Sequence, residues 1–125
     1  MTEMDETLDV RISALADLAV ELWRLQRWAF ASGSEKDRSP ARHTVRMLGS
    51  FFTELEFELR DLTGQPYDPG LAVEVIDVER ESGSLSDSVT VGETLAPIVF
   101  WRGRMIRTGR IILRVGAATD QEVLN

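Results

Sequence analysis

The sequence predicts an α+β protein: an antiparallel pair of amphipathic helices, doubled into a dimeric four-helix bundle, followed by a small C-terminal β-domain. Three observations carry this expectation. Apolar residues recur at alternating spacings of three and four through two segments of the first half. The polar connector between those segments is short, which favours antiparallel neighbours. After Pro66 the pattern changes to brief β-rich runs punctuated by glycine, proline and serine. The implied organisation is a helical dimerisation segment over 1–64, a β-domain over 65–116 and a frayed tail over 117–125.

The first helix is expected over about 5–31. Leu8, Ile12, Leu15, Ala19, Leu22 and Ala29 form its stripe, and Leu18 and Leu25 widen it. Thr2 and Asp5 have capping-box spacing, and Ser32-Gly33-Ser34 supplies the stop. Ser39-Pro40 then restarts the chain as N-cap and first helical residue, a position where a missing N–H costs nothing. Val45, Leu48, Phe52, Leu55, Leu59 and Leu62 continue the rhythm to Thr63, and Gly64 and Pro66 end it. Two helices cannot hide both stripes together with Trp23, Trp28, Phe30, Met47, Phe51 and Phe57, so a second copy is the expected cover. Leu15, Leu22, Leu48, Phe52, Leu55 and Leu59 are the expected dimerisation residues.

In the second half, Leu71, Val73, Val75, Ile76 and Val78 form a β-rich run, 79–88 has the composition of an exposed loop, and Val89 and Val91 open a short strand. Residues 95–101 lead into Arg102-Gly103, a two-residue turn that predicts a hairpin with the runs that follow. Pro97 cannot donate to a ladder and marks an edge or an irregularity, and Gly109 marks a bulge.

Composition narrows the function. A formal net charge of -7 opposes general nucleic-acid binding, which needs cations against phosphates. No apolar run approaches the ~20 residues of a membrane-spanning helix. The chain has no cysteine, which excludes disulfides, thiolate metal sites and cysteine nucleophiles. The acidic start is neither a signal nor a transit peptide, so the cytoplasm is the expected compartment. Charge is uneven along the chain: residues 71–101 carry six acids and one base, whereas 102–114 carry five arginines (Arg102, Arg104, Arg107, Arg110, Arg114) and no acid. Such a strip on an acidic protein suits a docking face for an acidic protein surface.

Catalytic patterns are missing. His43 has neither a second histidine nor a cysteine with which to share a metal. Glu54, Glu58 and Asp61 have the spacing of one solvated helix face, and Asp77, Glu79, Glu81 and Asp87 follow no calcium-loop pattern. The serines at 82–88 sit in no nucleophile elbow, and the single lysine, Lys36, lies outside any glycine-rich phosphate cradle. Neither an enzyme nor a cofactor or metal site is expected, and binding to a partner protein is.

Two stretches carry a resemblance to a known family. Gln65-Pro66-Tyr67-Asp68-Pro69 is similar to the junction between helices and β-domain in GrpE, the nucleotide exchange factor of DnaK-type chaperones, with Tyr67 in place of phenylalanine. Gly103-Arg104-Met105-Ile106-Arg107, followed by Ile111-Ile112-Leu113, resembles that family's arginine-bearing hairpin and final strand. The likeness covers about 64–115. It implies a homodimer whose β-domain binds the chaperone's ATPase domain and opens its nucleotide cleft. Arg104 matches the hairpin arginine expected at the chaperone contact, and Arg107 matches a second, more peripheral one. Leu95 and Ile98 fall where the family presents apolar contacts. The sequence departs from the family in showing no long N-terminal helix, in Phe100-Trp101 where a glycine-tyrosine element usually stands, and in the loop at 79–88.

Overall fold

The computed structural model describes residues 6–31, 35–80 and 88–116, with the backbone alone for 35–37. The chain is α+β, and the described residues form two helices, α1 (Ile12–Phe30) and α2 (Glu35–Glu54), and six strands: β1 (Phe57–Arg60), β2 (Val73–Arg80), β3 (Val89–Ala96), β4 (Ile98–Trp101), β5 (Arg104–Arg107) and β6 (Gly109–Val115). It divides into two compact units, Met1–Ser50 and Phe51–Asn125. The expected cap at Thr2 and Asp5, the stop at Ser32-Gly33-Ser34, most of the loop at 79–88 and the tail at 117–125 lie outside the described residues.

Three helix boundaries correct the sequence reading. α1 begins at Ile12 rather than near Asp5, with Arg11 as an N-cap that offers no side-chain hydrogen bond. Leu8 is almost fully exposed, so no burial offsets the entropy of ordering an earlier turn. α2 begins at Glu35, a turn before Ser39, and carries Pro40 inside it. The same helix stops at Glu54 rather than Thr63. Glu56 takes a left-handed backbone with φ 71°, and the next four residues join a sheet. Leu55 and Leu59 keep helical spacing, but Phe57-Glu58-Leu59-Arg60 also alternates, and the alternation wins because Phe57 is buried edge-on to Phe52. The β-structure therefore starts before residue 65, and Leu59 is a strand residue. Glu54, Glu58 and Asp61 consequently share no helix face. Glu58 pairs with Arg60, and Asp61 accepts the Thr63 N–H.

The buried stripe of α1 keeps part of the expected one: Ala19 and Ala29 are buried and Ile12, Leu15 and Leu22 half-buried, Ala16, Val20 and Trp23 are buried beside them, and the widening residues Leu18 and Leu25 are exposed.

The strands form two three-stranded sheets, ordered β1-β4-β5 and β2-β6-β3. In the second, β6 runs parallel to β2 and antiparallel to β3. Its core comprises Leu62, Val91, Ile98, Ile111 and Leu113, with Tyr67, Leu71, Val75 and Phe100 packed against it. Val91 pairs with Leu113 and Thr94 with Ile111 in register; inward and outward positions alternate along β6, and an irregularity between Val91 and Glu93 places the inward Val91 and Thr94 of β3 three residues apart. Thr94 is the buried polar residue of this unit. Its hydroxyl accepts the Leu62 N–H and the Thr63 hydroxyl, which fastens the 61–64 turn to the sheet.

The β4–β5 hairpin is an excursion between two strands of the other sheet. β3 leaves its sheet at Pro97, where no ladder N–H is needed, and the chain re-enters that sheet at Gly109. Gly109 stands where the legs converge: a Cβ there would lie 3.1 Å from the Ala96 carbonyl oxygen and 3.1 Å from Ile98 Cγ1. Gly109 is thus a point of close backbone approach at the start of β6, where a bulge was expected.

Candidate functional site

The five-arginine strip is divided by the fold between two sheets. Arg110 and Arg114 lie on the outward face of β6, opposite Glu74 and Glu79 of β2 in register, and Arg110 Nε stands 3.5 Å from Glu74 Oε1. These two are cations among cross-strand acids, an ordinary solvated sheet face. Arg102, Arg104 and Arg107 belong to the hairpin.

At the hairpin tip, Arg102 and Gly103 have φ of 51° and 76°. Two consecutive left-handed residues make the primed turn whose twist suits a two-residue hairpin, and glycine takes the second position without strain. Three hydrogen bonds of 3.0 Å each tie this tip to the turn after α2. The Trp101 indole Nε1–H donates to the Leu55 carbonyl, the Arg102 N–H donates to the Glu56 carbonyl, and Arg102 Nε donates to Glu56 Oε2. The left-handed Glu56 is thereby held by the residue it supports. Two guanidinium groups lie over the Trp101 ring, Arg102 at 4.7 Å and Arg104 at 5.7 Å from its centroid. On the opposite face Arg60 covers Phe100 at 4.5 Å, beside the exposed Met105.

Arg104 is therefore presented in a fixed place: exposed, opposite Trp101 in register, and without an ion pair among the described residues. Arg107 sits opposite Val99, half-buried and engaged by a partner of its own. Leu95 is half-buried in β3. Ile98 is only 4% exposed and belongs to the core, which corrects the expectation that it presents an apolar contact. Tyr67 also faces that core, and the turn after it is set by Asp68, whose Oδ1 accepts the Gly70 N–H and whose carbonyl accepts the Leu71 N–H.

Compared with known proteins, the sequence matches no family model and no curated protein. The chemistry of the site is thus read from its own residues. Among the described residues no three histidine, aspartate or glutamate side chains converge as metal ligands, and His43 is exposed on α2. Among the same residues no helix is long and apolar enough to cross a membrane. A rigid tip that offers one available guanidinium beside an indole can recognise a carboxylate next to an apolar group on a protein surface.

Of the expected dimerisation residues, Leu48 is exposed on α2, and Leu15 and Leu22 flank the exposed Leu18 and Leu25 on α1. Phe52 is buried, and Leu55 and Leu59 are half-buried, Leu55 in the turn whose carbonyl bonds Trp101 and Leu59 on β1 opposite Val99. The sequence reading also missed Glu56, whose part in anchoring the hairpin depends on a contact 46 residues away.

Proposed function

We propose that the chain is a GrpE-like cochaperone of the cytoplasm, which promotes ADP/ATP exchange by binding the ATPase domain of a DnaK-type chaperone. The observation that carries this reading is the anchored hairpin tip with Arg104 exposed beside Trp101. The stretch that resembles the family's contact motif is the one held most firmly in an exposed turn. An exchange factor needs no catalytic group. It need only bind the open, nucleotide-free state of its partner more tightly than the closed state, and differential affinity supplies the work.

The protein acts in this reading as a homodimer joined through its helices. Two helices per copy make a four-helix bundle only when a second copy is present. Leu15, Leu18, Leu22 and Leu25, spaced three, four and three apart, supply a ridge with the rhythm of such a seam, and Leu48 supplies the apolar position on α2.

The test is release of a fluorescent ADP analogue from the DnaK-type chaperone of the same cell. Acceleration by the protein that falls at least about tenfold in Arg104→Ala is expected, since a central arginine contact is worth ~2 kcal/mol or more. If the folded protein neither binds the chaperone nor speeds release, the hairpin serves a different ATPase or assembly.

A further inference from the structure

A second basic surface lies on the helical unit, where α1 ends and α2 begins. Residues 27–46 carry five bases (Arg27, Lys36, Arg38, Arg42, Arg46) and two acids (Glu35, Asp37), in a chain whose net charge is -7. Arg38, Arg42 and Arg46 stand one turn apart on α2. Arg38 Nη1 donates to the carbonyls of Trp28 at 2.9 Å and Ala31 at 3.2 Å, and Arg42 Nε donates to the Ala29 carbonyl at 2.6 Å. These carbonyls belong to the last turn of α1, where unpaired acceptors and the negative end of the helix dipole favour a cation.

The same guanidinium groups also lie over aromatic rings: Arg38 at 4.8 Å from the Trp28 centroid, and Arg42 and Arg46 at 5.3 Å and 5.0 Å from that of Phe30. Stacking and carbonyl bonds fix the arginines, yet Trp28 remains 49% and Phe30 42% exposed. Arg46 is exposed and forms no ion pair among the described residues.

We propose that this arginine–aromatic surface binds an acidic segment of a partner protein that carries apolar side chains between its carboxylates. The exposed fork of Arg46 suits a carboxylate, which accepts two parallel N–H bonds from one guanidinium, and Arg38 and Arg42, bonded to the carbonyls at the end of α1, add positive charge beside it. Exposed Trp28 and Phe30 supply the apolar anchors, and tryptophan and arginine are the residues that dominate binding hot spots. The chain's overall negative charge repels an extended polyanion, whether nucleic acid or anionic bilayer, across its whole face. A short peptide meets mainly the local field within about a Debye length, ~8 Å at physiological salt. The leucine ridge that we assign to the dimer uses other residues of α1, so both surfaces can be occupied together.

The test uses the full chain and a fluorescein-labelled peptide in which Asp-Glu pairs alternate with Leu and Phe, followed by anisotropy. Saturable binding that weakens with salt is expected, and Arg46→Glu should reduce affinity roughly tenfold at unchanged helix content. Arg46→Lys, which keeps the charge and loses the fork, should fall between the two. Failure of the peptide to saturate, or equal binding by Arg46→Glu, would overturn the proposal. Binding to phosphatidylserine vesicles that the peptide does not compete away would assign the surface to a membrane instead, and would overturn it too.

Discussion

In the helical unit the buried side chains are mostly small, with Ala16, Ala19, Val20, Ala29 and Val45 beside the single large Trp23. Among the described residues the β unit buries Phe52, Phe57, Leu62, Ile98, Ile111 and Leu113, and leaves Phe51, Ile76, Val78 and Met105 exposed. Leu18, Leu25, Trp28, Phe30, Met47 and Leu48 remain exposed in the helical unit. Full burial of a leucine or isoleucine side chain is worth about 1.5–3 kcal/mol, and alanine provides far less. The β unit therefore encloses its own driving force. The helical unit leaves most of its large apolar side chains exposed, and arginines hold its joined end.

The largest expected effect strikes the enclosed core. Ile111 is fully buried on the central strand β6, between Val75 and Thr94 in register. Ile111→Ala removes three carbons from a site with little freedom to collapse and should cost about 2–5 kcal/mol, read as a lower denaturant midpoint. A loss below ~1 kcal/mol would mean that the β unit is no better packed than the helices, and the contrast between the units would collapse.

A smaller loss is expected where the hairpin leaves the sheet. Gly109→Ala would push a methyl group against the Ala96 carbonyl oxygen and the Ile98 backbone nitrogen, at 3.1 Å and 3.3 Å. Both are main-chain atoms, so the strands must part, at a cost of about 1–3 kcal/mol by thermal unfolding. The substitution also sharpens the functional reading. Ile98 and Gly109 lie at the hairpin base, away from Arg104, and displacement of the base should weaken exchange activity even where the protein stays folded.

The two units were also unequally legible in sequence. The hairpin could be read because Arg102-Gly103 is a local signal with one favoured turn geometry. The break at Pro97 was legible for a similar reason, since a missing N–H excludes a central ladder position. The end of α2 was not, because Leu55, Leu59 and Leu62 fit a helical period as well as Phe57 and Leu59 fit a strand. Pairing with Trp101 and Val99, at least 40 residues away, decided between them. On α1 the central stripe was legible, since Ala19 and Ala29 are buried and Ile12, Leu15 and Leu22 half-buried, whereas Leu18 and Leu25, which share its helical spacing, are exposed. For the site, Arg104 was visible as a motif residue, whereas its anchors Glu56 and Trp101 became evident only with the turn that joins them. The arginine series at 38, 42 and 46 has plain i, i+4 spacing, but the eye is drawn first to the denser run at 102–114.

The smallest effect on the fold itself is expected on the leucine ridge, and it decides what the helical unit lacks. Leu18 is 60% exposed, so Leu18→Glu removes little buried surface within one chain. Substitutions at such positions usually change the stability of a monomer by no more than about 0.5 kcal/mol. At a seam between two copies the same change places carboxylates against apolar neighbours, where each uncompensated charge is expensive. Sedimentation velocity on the wild type and on Leu18→Glu separates the two situations. A wild-type dimer that becomes a folded monomer, with helix content retained, places the ridge in the interface and explains why this unit keeps its large side chains outside. A variant that stays dimeric would move the interface to the Met47, Leu48 and Phe51 side of α2, where further exposed apolar surface lies.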